Sequence, residues 1–203
     1  NVKKIVATCP HCFNTLGNEY EQLGLKVEVV HHTQLLAHLV KEGRLTPVQP
    51  VDGGVTYHDP CYLGRHNRVF TAPREVLGAS TAELTEMPRN SERSFCCGAG
   101  GARMWMEERI GKRINIERID EALGTGPDTI STACPYCLVM LGDAISAKKS
   151  SGEASESLEI VDVASLLARS VAPPAAGPGQ PAAPPGPPEA ASPQPPAEPA
   201  QPS

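Results

Sequence analysis

The sequence predicts an α/β fold with layered, mostly parallel sheets, and three observations carry that prediction. Short apolar runs alternate with helix-period patterns along roughly the first 170 residues. Alternation of strand and helix is the pattern of sheets covered by helices. In addition, one strand-and-helix passage occurs twice. Ile5-Val6-Ala7-Thr8-Cys9-Pro10-His11-Cys12, with Leu16-Gly17 beyond it, reappears as Ile130-Ser131-Thr132-Ala133-Cys134-Pro135-Tyr136-Cys137 with Leu141-Gly142.

The elements follow in order. Ile5-Val6-Ala7 reads as a buried strand leading through Cys9-Pro10-His11-Cys12 into a helix to about Gln22. Val27 to Val30 is a second strand, and Thr33 to Lys41 a second helix stopped by Gly43. Val55 to His58 is a third strand, Ala72 to Gly78 a short helix and Glu83 to Met87 a fourth strand. A long helix is expected from Ala102 to Leu123, with Met106, Ile110, Ile114, Ile119 and Leu123 on one face. Strand Thr129 to Ala133, helix Pro135 to Ile145, strand Leu158 to Val161 and helix Val163 to Ser170 complete the series.

The repetition extends further. Val27-Glu28-Val29-Val30 and Leu35-Leu36-Ala37 match Leu158-Glu159-Ile160-Val161 and Leu166-Leu167-Ala168. Residues 1–44 therefore read as the closing part of a first, truncated copy, and residues 45–171 as a complete second copy. Residues 172–203 read as a disordered tail. From Pro173 onward the chain is almost only Pro, Ala, Gly, Gln, Ser and Glu, with 13 prolines in residues 173–203. Such a stretch has too little apolar side chain to offset its ordering entropy.

The formal charge of −5, with no basic stripe, argues against nucleic acid as the main partner. No run of eighteen apolar residues occurs, and no signal peptide is visible. The chain opens at Asn1 directly on a strand-like run, which reads as the C-terminal piece of a longer protein.

Seven cysteines are present, an odd number, and four of them form C-x-x-C pairs. Without a secretion signal, metal ligation by reduced thiols in a cytoplasmic setting is favoured over a disulfide scaffold. Cys61 follows a strand in His58-Asp59-Pro60-Cys61, and Cys96-Cys97 open Cys96-Cys97-Gly98-Ala99-Gly100-Gly101. Cys134 and Cys137 span the start of a helix, with Pro135 in its first turn. All lie where α/β sheets place their ligands, at the carboxyl ends of strands. A helix N-terminus lowers a thiol's pKa, so Cys134 and Cys137 are expected to be thiolate-prone. The glycines let the backbone approach the sulfurs and donate hydrogen bonds to them. Four thiolates in pairs also describe a structural zinc site, but five with an adjacent pair favour an iron–sulfur cluster. Cys9 and Cys12 alone fit zinc, a cluster or dithiol exchange; the repeat makes them part of a second metal site completed upstream.

This arrangement resembles the cysteine-rich CCG domain family, C-x(n)-C-C-G-x(m)-C-x-x-C, which usually occurs as two tandem copies and includes the B subunit of heterodisulfide reductase. The resemblance implies a noncubane [4Fe–4S] cluster held by Cys61, Cys96, Cys97, Cys134 and Cys137. Cys9 and Cys12 would be two ligands of another cluster. His58-Asp59-Pro60-Cys61-Tyr62-Leu63-Gly64-Arg65 and Phe95 through Met106 also look like the ends of long actinobacterial iron–sulfur reductases. Those have membrane helices and a ferredoxin-like module upstream. The implied role is electron transfer in an oxidoreductase, from an electron-transfer flavoprotein or ferredoxin-like donor to a quinone or a thiol/disulfide acceptor. The implied place is the cytoplasmic face of the membrane, and the implied partner is the upstream part of the same polypeptide. A zinc-stabilised interaction module without redox role is the alternative.

Several other residues carry an expectation. His58 and Asp59 are placed to donate to sulfur or relay protons, and a local turn bond from Asp59 is an equal reading. Arg65 and Arg103 read as solvated surface or as partners for an anion. His11 reads as a surface residue at a helix start, and His31-His32 as capping or solvated. Trp105, with Met104 and Met106, is expected to pack the long helix against the sheet. The glycine-rich run after Cys97 lacks a phosphate-loop fingerprint.

Overall fold

The computed structural model describes residues 2–171 apart from Arg109; the expected tail, residues 172–203, lies outside the described residues. The order is β1 (Lys4–Ala7), α1 (Pro10–Asn14), β2 (Glu28–His31), α2 (His32–Lys41), β3 (Val51–His58), α3 (Thr71–Ser80) and β4 (Thr81–Thr85). It continues with α4 (Ile114–Leu123), β5 (Thr129–Thr132), α5 (Pro135–Ser150), β6 (Glu159–Asp162) and α6 (Val163–Ser170).

Two parallel sheets result, one of β1-β2 and one with the order β4-β3-β5-β6. In the larger sheet the chain moves outward from β3 to β4, then crosses back to lay β5 on the other side of β3. The carboxyl ends of β3 and β5 thus flank a topological switch point, the crevice where open α/β sheets hold ligands. Their register pairs His58 with Thr132 at that end.

Each face of this sheet is covered. Ile119, Ala122, Ile130, Met140, Leu141 and Ala144 form one apolar core with α4 and α5. Val55, Tyr57, Leu77, Val163, Leu166 and Leu167 form the other with α3 and α6. Helix α2 packs on α3 and α6, which joins the N-terminal elements to the second core. Strand β5, Thr129-Ile130-Ser131-Thr132, is buried on both faces, and its Ser131 and Thr132 hydroxyls donate to the Val161 and His58 carbonyls.

The twice-occurring passage folds alike in its two places. Cys9 and Cys134 are both helix N-caps followed by proline. The β-carbon positions of Gly17 and Gly142 both face the middle of the next strand, 3.6 Å from Val29 and from Ile160. A larger residue at either glycine would push helix and strand apart.

The expected helix from Ala102 to Leu123 is corrected. Only Ile114–Leu123 is α-helical, preceded by a short 3-10 turn at Arg103–Trp105. Gly101, Ala102 and Gly111 have φ of 65°, 60° and 69°, a left-handed backbone that a helix cannot contain. Consequently Trp105 is 80% exposed and Ile110 86%, so neither packs on the sheet; Met104 does reach the core. The apolar spacing across residues 106–114 was accidental. The fourth strand lies two residues earlier than expected, and α5 runs five residues longer.

His31 and His32 are not solvated. His31 is fully buried at the N-terminus of α2, where its backbone N–H donates to the Gln34 side chain at 3.0 Å. His32 Nε2 lies 3.2 Å from Asp162, the N-cap of α6. Burial and the neighbouring His32 hold the His31 ring down to about 3, so it stays neutral.

Candidate metal centre

The chain turns sharply after β3, and Asp59-Pro60-Cys61 leads into a wide helical turn, Tyr62–His66. Gly64 N–H returns to the Pro60 carbonyl at 2.9 Å. Cys61 is half-buried at the crevice. Across it, Cys134 caps α5 and Cys137 lies one turn inward, both buried.

Cys96 and Cys97 arrive on the connection from β4 to α4. The side chain of Asp59, 3% exposed, fastens that connection. It accepts two bonds from the Arg74 guanidinium at 2.8 Å each, and a third from the Ser91 N–H at 2.8 Å. Asp59 therefore braces the loop. Beyond it, Cys97 is buried and Cys96 half-buried.

Gly98 makes this turn possible. Its φ is 89°, and a β-carbon there would meet Ile114 at 3.2 Å and the Asn115 nitrogen at 3.3 Å. Its N–H donates to Cys96 Sγ at 3.2 Å, as the glycine run led us to expect. In the Gly98→Ala chain, backbone strain of about 1–3 kcal/mol accompanies displacement of both cysteines. Urea unfolding should record that loss, and an unchanged midpoint would mean that the turn tolerates a side chain.

The sulfurs share protons. Cys137 Sγ donates to Cys97 Sγ at 3.3 Å, and one ring nitrogen of His58 lies with these two sulfurs within 4.8 Å. Hydrogen bonds from Cys137 and Cys96, with His58 beside it, hold the Cys97 thiol far below the usual range. Cys134 is lowered as well, by Cys137 and by the helix-start N–H groups of Cys137 and Tyr136. Cys137 is pushed well up because it is the donor to Cys134 and Cys97 and is buried. The expectation that both members of this pair favour thiolate thus holds for Cys134 and fails for Cys137. Cys96 is raised by its bond to Cys97, and Cys61 by burial.

Cys9 and Cys12 lie close by. Helix α1 packs on the turn after Cys61, with Asn67 bonded to Asn14 at 3.1 Å and to Asn18 at 2.9 Å. His11 is half-buried and its ring sits 4.2 Å from Tyr62 and 5.1 Å from Tyr136, correcting its surface reading. Cys9 is half-buried and raised mainly by burial, with a contribution from Cys134; Cys12 is exposed. A cleft of about 320 Å³ opens between His11, Tyr62, Tyr136 and the strap carrying Trp105. Arg103 lies on the exposed strap, paired with Glu108 at 2.6 Å, and Arg65 is exposed.

Sequence reasoning missed Arg118, which is fully buried and donates to His58 Nδ1 at 3.0 Å. Its only signal was a basic residue at a position that the helix period of α4 places with Ile119 and Ala122 on the inner face, where Asn115 is also buried.

The donor set fits a soft metal centre. Three buried thiols converge with two more at the rim, and His58 Nε2 is buried without a hydrogen-bond partner. Soft thiolates select iron–sulfur clusters or zinc over hard cations.

A doubly wound sheet with five cysteines on its switch-point edge defines a cysteine-rich metal-centre domain. Residues 55–142 match the model of the CCG cysteine-rich domain, so the chain carries a domain of that family. It is 51% identical over 172 residues to the "Probable iron-sulfur-binding oxidoreductase FadF" of Bacillus subtilis, covering 84% of this chain and 24% of that protein. It is 47% identical over 173 residues to the EtfAB:quinone oxidoreductase of Syntrophomonas wolfei, covering 82% and 24%. A third relative, from the dihydromethanophenazine:CoB–CoM heterodisulfide reductase of Methanosarcina barkeri, is 37% identical over 163 residues, covering 78% and 40%. The chain thus spans about a quarter of the first two relatives. Among the described residues, no helix is long and apolar enough to cross a membrane.

Proposed function

We propose that this chain is an iron–sulfur electron-transfer part of an oxidoreductase, in which Cys61, Cys96, Cys97, Cys134 and Cys137 hold one noncubane [4Fe–4S] cluster. The observation that carries the reading is the meeting of Cys97 and Cys137 at 3.3 Å in the switch-point crevice, with Cys134 beside them. Its relatives are named as iron–sulfur and quinone or heterodisulfide oxidoreductases, which supports the reading.

When bound, the cluster supplies one-electron chemistry at a potential set by its surroundings. The chain's own residues do the rest. Buried Cys97 and Cys134 favour the thiolate form that metal ligation needs. Gly98 N–H stabilises charge on Cys96. Helices α4 and α5 close one side of the site to water. The rim at Cys61 stays half-open, as electron exchange with a partner requires.

In this reading residues 1–44 close a first copy, and Cys9 and Cys12 serve a second cluster or a zinc ion completed by upstream residues. The donor is an electron-transfer flavoprotein or a ferredoxin-like module, and the acceptor a quinone or a thiol/disulfide. The chain works at the cytoplasmic face of a membrane through upstream segments.

Metal analysis tests the reading. Reconstituted without oxygen, the chain should bind about four irons with matching sulfide. It should also show an electron paramagnetic resonance signal that depends on redox state. One zinc with no sulfide and no signal would leave the zinc-stabilised module instead.

A further inference from the structure

Arg118 and His58 have no part in ligation as argued above, yet they form a built contact with it. The Arg118 side chain is wholly enclosed. Its Nη1 donates to the Arg89 carbonyl and to the Glu121 carboxylate, each at 2.9 Å, and its Nε donates to His58 Nδ1 at 3.0 Å. A guanidinium has donors only, so His58 Nδ1 must be the acceptor in this bond. The proton of the neutral ring then sits on Nε2. That atom is buried with no hydrogen-bond partner, while the sulfurs of Cys97 and Cys137 lie within 4.8 Å of the ring's ligand nitrogen. A donor fixed in this way, beside thiols that must carry negative charge, has one use left.

We propose that His58, held in its Nε2–H form by Arg118, is a positioning residue that donates to the Cys97 sulfur and raises the reduction potential of the group this sulfur binds. The inference rests on the cluster reading. Reduction adds negative charge to the site, and an N–H aimed at a ligand sulfur offsets that charge. Arg118 acts through His58, to which its Nε donates; its Nη1 is spent on Arg89 and Glu121, and its Nη2 is buried with no hydrogen-bond partner.

Three chains decide the matter: wild type, His58→Gln and His58→Leu, each reconstituted without oxygen. Gln places an amide N–H close to where Nε2 stood; Leu keeps the volume without a donor. Iron and sulfide are measured first, then the midpoint potential. His58→Leu should keep its iron and shift downward, by about tenfold in the reduced-to-oxidised ratio at fixed potential, which is 59 mV for one electron. His58→Gln should recover most of that shift. An unchanged potential in His58→Leu, or no recovery in His58→Gln, overturns the proposal. Loss of iron in both folded variants also overturns it, since His58 would then be a ligand.

Should the Leu variant fail to fold, nitrogen-15 shifts of the wild-type histidines decide alone. Nε2 protonated with Nδ1 bare supports the proposal, and Nδ1 protonated overturns it. That measurement needs no iron, so a wild type without iron and sulfide sinks the cluster reading separately.

Discussion

The Cys97→Ser chain, reconstituted without oxygen beside the wild type, should lose most of its bound iron and sulfide while keeping its fold. Cys97 is 3% exposed, with Cys137 Sγ at 3.3 Å and Cys96 and His58 beside it. Serine nearly matches its volume, so the core that Cys97 shares with Ile119, Ile130 and Met140 persists. The hydroxyl, however, is a hard and weakly acidic donor, whereas iron–sulfur chemistry needs a soft thiolate. The sulfurs beside it, Cys96 and Cys137, belong to the proposed ligand set themselves, so neither is spare to take its place. Cys12→Ser serves as the contrast: that thiol is exposed on α1, and its loss should leave the iron of this site in place. Equal iron in Cys97→Ser and wild type would remove Cys97 from the ligand set, whatever the circular dichroism.

The largest loss of stability should come from a residue that binds no metal. Asp59→Ala leaves the Arg74 guanidinium without two of its bonds and the Ser91 N–H without its acceptor. Removing one partner of a buried pair costs about 3–5 kcal/mol, because the other charge stays behind. Arg74 is one-fifth exposed and keeps Glu86 at 2.6 Å, which places the cost near ~3 kcal/mol, the low end of that range. For a domain of this size the thermal midpoint should fall by roughly 6–12 °C. Asp59→Asn should recover part of it, since its side-chain oxygen still accepts from Ser91. A drop of less than about 1 kcal/mol would show the pair to be worth no more than a surface ion pair. Because the tether holds the loop to Cys96 and Cys97, faster amide exchange at Ser91 should accompany the loss.

These two residues also show how far the sequence could be read. His58 and Asp59 are neighbours; from sequence both were candidates for sulfur contact, and Asp59 equally for bracing the turn. In the fold they part: His58, the last residue of β3, turns toward Cys97 and Arg118, while Asp59 turns toward α3 and Ser91. A turn bond was expected of Asp59 alone, but neither residue's partners could be named from His58-Asp59-Pro60-Cys61, since they stand 15 to 60 positions away. The expected helix over residues 102–123 failed for a different reason. Apolar spacing is a sum over many positions, whereas one positive-φ stretch at Gly111 breaks a helix outright. His11 was misread because the rings that cover it, Tyr62 and Tyr136, come from other elements.

By itself the sequence determined the α/β layering and the strands that lead to Cys9, Cys61 and Cys134. Those are consequences of periodicity, capping and spacing, which act over a few residues. Only the tertiary structure decided which thiols give up their protons, which histidine faces them and which arginine fixes that histidine. Such choices depend on contacts of about 3 Å between residues 40 and 60 positions apart, and only the packing of α4 and α5 on the sheet brings them together.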